Sequence, residues 1–262
     1  MNARRASTSE EARAYRQQGM DDALLFALAI GLNRDYRRDA KAKKDVIDPA
    51  GDAHSVKSGR KRWQIFLYGR GRFLADDGFQ ALNGVGSLLV HCIDAFPPRY
   101  IDYEDNKEPA KLRLQTPMRE LKDRFQRKAL LRAFLRKSIF NGGEVQYLTV
   151  LRDGVFSVYW SDDVVTAMAD VFEVVNSVGH RVGQYDAQKV LFRRDGKNVG
   201  ELEMRNDSEQ HYGEVRFSMN REPCLALLDA VGFEEHGWLP EVRLYGRAVR
   251  TFGQWKVAQS SI

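Results

Sequence analysis

Residues 144–161, EVQYLTVLRDGVFSVYWS, decide how the chain is read. On either side of Asp153-Gly154 the sequence alternates in the manner of a half-buried strand. Asp-Gly closes a two-residue hairpin because both positions tolerate a positive φ. Two antiparallel strands are predicted here. Moving outward toward the C-terminus, residues 162–178 read as a helix. Residues 187–208, AQKVLFRRDGKNVGELEMRNDS, repeat the hairpin signal around Asp195-Gly196. A strand in residues 213–220, a helix in residues 223–233 and a last strand in residues 241–249 follow.

Toward the N-terminus, residues 118–140 carry leucines and phenylalanines at helical spacing beside a dense set of Lys and Arg, giving one apolar and one basic face. Residues 100–117 are polar and irregular. Residues 79–96 form an apolar core helix, His91 and Cys92 included, that stops at Pro97-Pro98. Residues 53–59 (AHSVKSG) and 62–69 (RWQIFLYG) read as two strands joined through SGRK, the pattern of a hairpin. Upstream lie a strand-like Val46-Ile47 with a turn after it, a charge-dense connection over residues 33–44, and two helices separated at Gly19, the second buried. With no repeat and no linker-like tract, the reading is a single α/β domain over residues 1–262, a central mixed β-sheet flanked by helices.

Composition narrows the class. With 262 residues and 43% hydrophobic content the chain can bury a large core. Its 41 Lys+Arg against 36 Asp+Glu give a net charge of +5, a bias that suits a polyanionic partner. Two isolated cysteines, Cys92 and Cys224, propose neither a disulfide framework nor a zinc knuckle, so a cytoplasmic location is expected. The longest apolar run, residues 23–32, is too short to span a bilayer, and no membrane role is expected. No histidine pair has metal-ligand spacing, no G-x-S-x-G elbow occurs, and GRGRF at residues 69–73 lacks the lysine-hydroxyl pair of a phosphate loop.

The chemistry points to Lys57, an ammonium set among apolar neighbours. Such a lysine stays charged if it pairs with carboxylates or a phosphate. Asp45, Asp48 and Asp52 lie just upstream and Gln64 on the following strand. Phosphodiester cleavage needs carboxylates for one or two Mg²⁺, an activated water and a cation to orient it. Residues 54–69, HSVKSGRKRWQIFLYG, resemble the PD-(D/E)xK nuclease superfamily, and in particular its type II restriction endonucleases. Ser55 stands where that superfamily has an acid, so the metal carboxylate comes from elsewhere: Asp52, Glu10, Glu11 or a later segment.

Two other segments compete. Glu201, Glu203 and Arg205 alternate along one strand face, with Asp186 on the preceding segment. Arg205 can clamp a phosphate but cannot imitate a lysine beside water. Glu144 and Gln146 form an E-x-Q pair after Gly142-Gly143. What the resemblance implies is a restriction-endonuclease-like fold and a Mg²⁺-dependent, sequence-specific endonuclease acting as a homodimer on double-stranded DNA. Asp48, Asp52 and Glu203 would hold the metal and Lys57 would orient the water. Lys61, Arg62, Gln64, Arg205, Asn206, Asp207 and His211 would contact DNA from hairpins and loops. The alternative is a non-catalytic nucleic-acid-binding protein that uses the basic helix 118–140 and an aromatic-basic hairpin carrying Trp63, Phe66, Tyr68 and Phe73.

Overall fold

The computed structural model describes residues 9–34, 44–234 and 240–253; His236 and most of the charge-dense stretch 33–44 lie outside these, as does the side chain of Glu11. In chain order the elements begin with α1 (Ser9–Ala29), β1 (Val46–Ile47), β2 (Ala53–Lys57) and β3 (Arg62–Gly69). A helical stretch follows: α2 (Arg70–Ala75), α3 (Asp77–Gln80), α4 (Val85–Asp94), α5 (Tyr100–Asp105), α6 (Glu108–Phe125) and α7 (Lys128–Phe140). Next come β4 (Tyr147–Arg152), β5 (Val155–Trp160), α8 (Ser161–Val171), β6 (Glu173–Asn176), β7 (Lys189–Arg194), β8 (Lys197–Arg205) and β9 (Glu214–Asn220). The series closes with α9 (Arg221–Leu228), β10 (Phe233–Glu234), β11 (Val242–Tyr245) and α10 (Ala248–Thr251). None of the described helices is long and apolar enough to cross a membrane.

The architecture is α/β, with a mixed sheet and helices as expected and a second, antiparallel sheet besides. The chain divides into two compact units, residues 1–60, 143–164 and 231–262 in one, residues 61–142 and 165–230 in the other. The first unit holds a six-stranded sheet in the order β1-β2-β4-β5-β11-β10, in which β2 runs parallel to β4 and β11 parallel to β5. Ala23, Phe26 and Ala27 on α1, with Ile30 just after it, pack on Tyr147, Phe156, Val158, Val242, Leu244 and Phe252. α1 continues unbroken through Gly19, where two helices were expected. An interior glycine costs about 1 kcal/mol, too little to stop a helix whose next turns are anchored in a core.

The second unit holds an antiparallel sheet in the order β3-β9-β8-β7-β6. Its apolar face presents Phe192 and Phe217 to Phe125 of α6 and Phe134 of α7, with ring centroids 5.3 Å apart for Phe192–Phe217 and 5.4 Å for Phe134–Phe217. Each of these rings is buried, and truncating one costs about 3–5 kcal/mol. The opposite face carries Arg62, Gln64, Lys189, Glu201, Glu203, Arg216 and Ser218. Both Asp-Gly hairpins form, with φ of 52° and 81° at Asp153 and Gly154 and of 50° and 73° at Asp195 and Gly196.

Elsewhere the structure corrects the sequence reading. β2 and β3 do not pair: β2 lies between β1 and β4, and β3 pairs with β9. A four-residue link only permits a hairpin, and here each strand finds a longer apolar partner further along the chain. Residues 100–117 are helical in large part, because Tyr103, Ala110 and Leu114 supply buried positions in a polar stretch. The basic segment 118–140 is two helices with a break at Gln126-Arg127. The apolar segment 79–96 breaks at Asn83-Gly84, which have φ of 47° and 80°. The helix expected over residues 162–178 ends at Val171, and the β-branched Val174 and Val175 enter β6.

Candidate functional site

Lys57 ends β2 half-buried, and no carboxylate of the described residues lies within ion-pair distance of it. Gln64 is exposed on β3, in the other unit. Asp45 is occupied as an acceptor, its Oδ2 taking the Val56 backbone N–H at 2.8 Å. Asp48 is buried in the turn after β1. Its Oδ1 accepts the backbone N–H groups of Ala50 and Asp52, both at 2.9 Å, which folds the DPAGD turn on itself. Glu10 is exposed on α1.

Behind that turn lies a sealed polar cluster that the sequence did not announce. The His54 side chain is wholly buried, with its Nε2 3.6 Å from Asp48 Oδ2 and its Nδ1 sharing a 2.9 Å hydrogen bond with Thr149 Oγ1. Its ring stacks on Tyr147 at 4.7 Å and meets Phe26 at 4.9 Å and Phe252 at 5.3 Å. The Tyr147 hydroxyl donates to Asp52 Oδ2 at 3.5 Å. Burial holds the imidazole below its ordinary pKa, outweighing the pull of Asp48, and burial together with Asp48 raises the Asp52 carboxyl. Walled by aromatic rings, this Asp-His-Thr set has no surface from which a substrate reaches the imidazole. It ties the turn to β2 and β4.

The second cluster reaches the surface through its cations. On the polar face of the antiparallel sheet, Lys189 of β7 lies opposite Glu203 of β8, and Glu203 lies opposite Arg216 of β9. Lys189 Nζ reaches both Glu203 and, at 3.4 Å, Glu201; Arg216 pairs with Glu203 and Arg62 with Glu201. The two glutamate side chains are 7% and 9% exposed, whereas the three cations are 24–35% exposed and roof them. Although burial works against ionisation, Lys189 and Arg216 hold the Glu203 carboxyl below its ordinary pKa. Ser218, opposite Glu201, is buried with its Oγ unpartnered, and the Nε atoms of Arg216 and Arg193 are likewise buried without an acceptor.

The remaining sequence candidates are engaged locally. Arg205 is bidentate to Asp207 at 2.7 and 3.2 Å, Asn206 bonds Tyr103, and His211 Nδ1 meets Glu214 at 2.8 Å. Lys61 is exposed. Asp186 accepts the Gly179 N–H at 2.7 Å, while Glu144 pairs with Lys44 at 3.4 Å and Gln146 accepts the Ala53 N–H at 2.7 Å. Trp63, Phe66 and Phe73 are core residues, so they offer no base-stacking platform. The basic helices are stitched inward: Lys128 donates to the carbonyls of Ala169 and Phe172 at the end of α8, and Lys137 pairs with Asp76 at 2.8 Å.

Asp48 and Asp52 belong to one unit and Glu203 to the other, and among the described residues no three His, Cys, Asp or Glu gather as a metal group. Glu201 and Glu203 fit Mg²⁺ in kind. They are adjacent hard-oxygen donors on one strand face that share a lysine, and Mg²⁺ is commonly held by one or two carboxylates together with substrate phosphate oxygens. No protein-family model, curated protein or solved structure matches the chain.

Proposed function

We propose that the chain cleaves phosphodiester bonds in double-stranded DNA, with the chemistry on the polar face of the antiparallel sheet at Glu201, Glu203 and Lys189. One observation carries this reading: two carboxylates two residues apart share a single ammonium, in a part-exposed setting roofed by two arginines. Mg²⁺ bound by the glutamates would lower the pKa of a bound water and offset phosphate charge. Lys189 places a positive charge where a phosphoryl group meets the glutamates, and Arg62 and Arg216 hold that group in register. The resemblance of residues 54–69 extends the proposal to site-specific cutting by a cytoplasmic two-fold dimer, since a palindromic site presents each half to identical groups. A non-catalytic DNA-binding protein is the second reading, favoured by the three part-exposed cations on the same face. Incubation of supercoiled plasmid with the protein tests it. Discrete linear products in Mg²⁺, lost in EDTA and lost in Glu203→Gln, are expected; intact plasmid under every condition would leave the binding reading in its place.

A further inference from the structure

Lys189 stands at the end of the antiparallel sheet where residues 177–188 connect β6 to β7. A connection this long, with no helix or strand of its own, needs internal bonds to be ordered, and this one has them. At its base the Ser177 Oγ accepts the backbone N–H groups of Gln188 and Lys189, both at 3.1 Å, and the Ala187 N–H donates to the Ser177 carbonyl at 2.7 Å. Further out, the Gly179 N–H donates to Asp186 Oδ1 at 2.7 Å and the His180 N–H to Gln184 Oε1 at 3.2 Å. The two limbs lie so close that a Cβ on Gly179 would meet the Gln184 carbonyl oxygen at 2.7 Å. α6 braces the loop from the side. Along that helix, Gln126 donates to the Val174 carbonyl at 2.8 Å, the Met118 carbonyl accepts from Asn176 at 3.0 Å, and the Lys111 carbonyl accepts from Gln188 at 2.9 Å. The Lys111 ammonium lies 5.5 Å from the centre of the Tyr185 ring. Met118 to Lys111 is two turns of helix, so the loop runs about 10 Å past the end of the sheet.

At the outer end, residues 180–184 are exposed and Val182 completely so. This valine adds nothing to the core, while the cost of ordering the loop that carries it is already met in the free protein. Resting on the hydrolase reading above, we infer that residues 179–186 are an arm that reads a groove of double-stranded DNA, with Val182 against a thymine methyl and His180 and Arg181 toward the flanking phosphates. The major groove is about 12 Å wide and about 8.5 Å deep, so a projection of about 10 Å reaches its base edges while Lys189, at the foot of the arm, stays at the level of the backbone. An apolar side chain suits the thymine methyl, which marks one base pair of the four arrangements. A protein partner would call for a broader apolar patch than one isopropyl group beside Arg181.

Selection of duplexes from a randomised DNA library in EDTA, followed by sequencing of the bound fraction, tests the arm. The wild type should select a motif that contains a thymine. Val182→Ser should lower the preference for that thymine about fivefold and leave the other positions unchanged. Gly179→Ala, whose Cβ forces the two limbs apart, should erase the preference at that base pair and its neighbours while keeping low-salt affinity for unrelated duplex. Leu74→Ser, at an exposed apolar side chain of α2, should select as the wild type does. Thermal melting separates a displaced arm from a lost fold. The inference is overturned if the wild type selects no motif, or if Val182→Ser and Gly179→Ala both select the wild-type motif. Absence of any duplex binding overturns it too and leaves the loop to a protein partner. A motif altered in the variants, with plasmid left intact in Mg²⁺, overturns the hydrolase reading alone; cleavage in Mg²⁺ with the motif unaltered overturns the arm alone.

Discussion

The two polar clusters of this chain are built from similar residues and have opposite physics. Around His54, in the first unit, an acid, an imidazole and a hydroxyl are enclosed by Phe26, Tyr147 and Phe252, and burial keeps the imidazole neutral. Around Glu203, in the second, carboxylates are held ionised by cations that themselves reach water. The comparison teaches that an Asp-His-Thr arrangement is not a site merely because its residues are chemically capable. A site needs a polar group that a substrate can approach and charge that the fold has not already spent. By that criterion the sheet face is the proposed functional surface and the His54 cluster a structural tie.

Four outcomes would sharpen or break that contrast, the first being the largest. Glu203→Gln should lower plasmid cleavage per folded molecule roughly a thousandfold, the scale of losing one charged group at a reacting centre, and should also lower the urea midpoint, because it strands Lys189 and Arg216. Lost stability with cleavage per folded molecule preserved would make the sheet-face cluster structural too. His54→Ala should destabilise by about 3 kcal/mol in urea denaturation through lost packing and stranded polar partners, with cutting per folded molecule preserved. Acid should act on the first cluster. The folded pKa of His54 is depressed, so the unfolded chain binds more protons, and stability should fall as pH drops below about 6.5, by up to about 1.4 kcal/mol per pH unit. Asp52, whose carboxyl is raised, binds protons more readily when folded and opposes the loss only nearer its own lower range. His54→Phe should flatten the dependence seen by thermal melting near pH 6; an unchanged slope would mean that the imidazole is not held neutral. Smallest, Thr149→Val should cost about 1–2 kcal/mol by leaving His54 Nδ1 unpaired.

What was legible in the sequence was local. Asp153-Gly154 and Asp195-Gly196 set their hairpins because turn chemistry acts between neighbours, and period-two spacing placed Glu201 and Glu203 on one face. What was not legible depended on distant partners. Nothing in residues 58–61 says that β2 will pair with β4 and β3 with β9. Lys189 escaped notice for a subtler reason. Counting outward from the Asp195-Gly196 turn sets Lys189 against Leu202, on the core side. An irregularity beside Phe192, where the register advances from Arg193–Asn198 to Phe192–Gly200, leaves Val199 extra on β8 and moves Lys189 against Glu203. One unpaired residue thus assembles the candidate site. The buried role of His54 was equally hidden, since its neighbours Phe26, Tyr147 and Phe252 come from three separate parts of the chain.

In the proposed reaction the working ammonium is Lys189 and not Lys57. Lys189→Met and Lys57→Met, compared side by side for the rate of Mg²⁺-dependent plasmid cleavage at matched folded fraction, test it most directly. Lys189→Met should lose cleavage roughly a hundredfold or more while Lys57→Met stays within about twofold of the wild type. Cleavage abolished in Lys57→Met and retained in Lys189→Met would contradict it and return the chemistry to the end of β2.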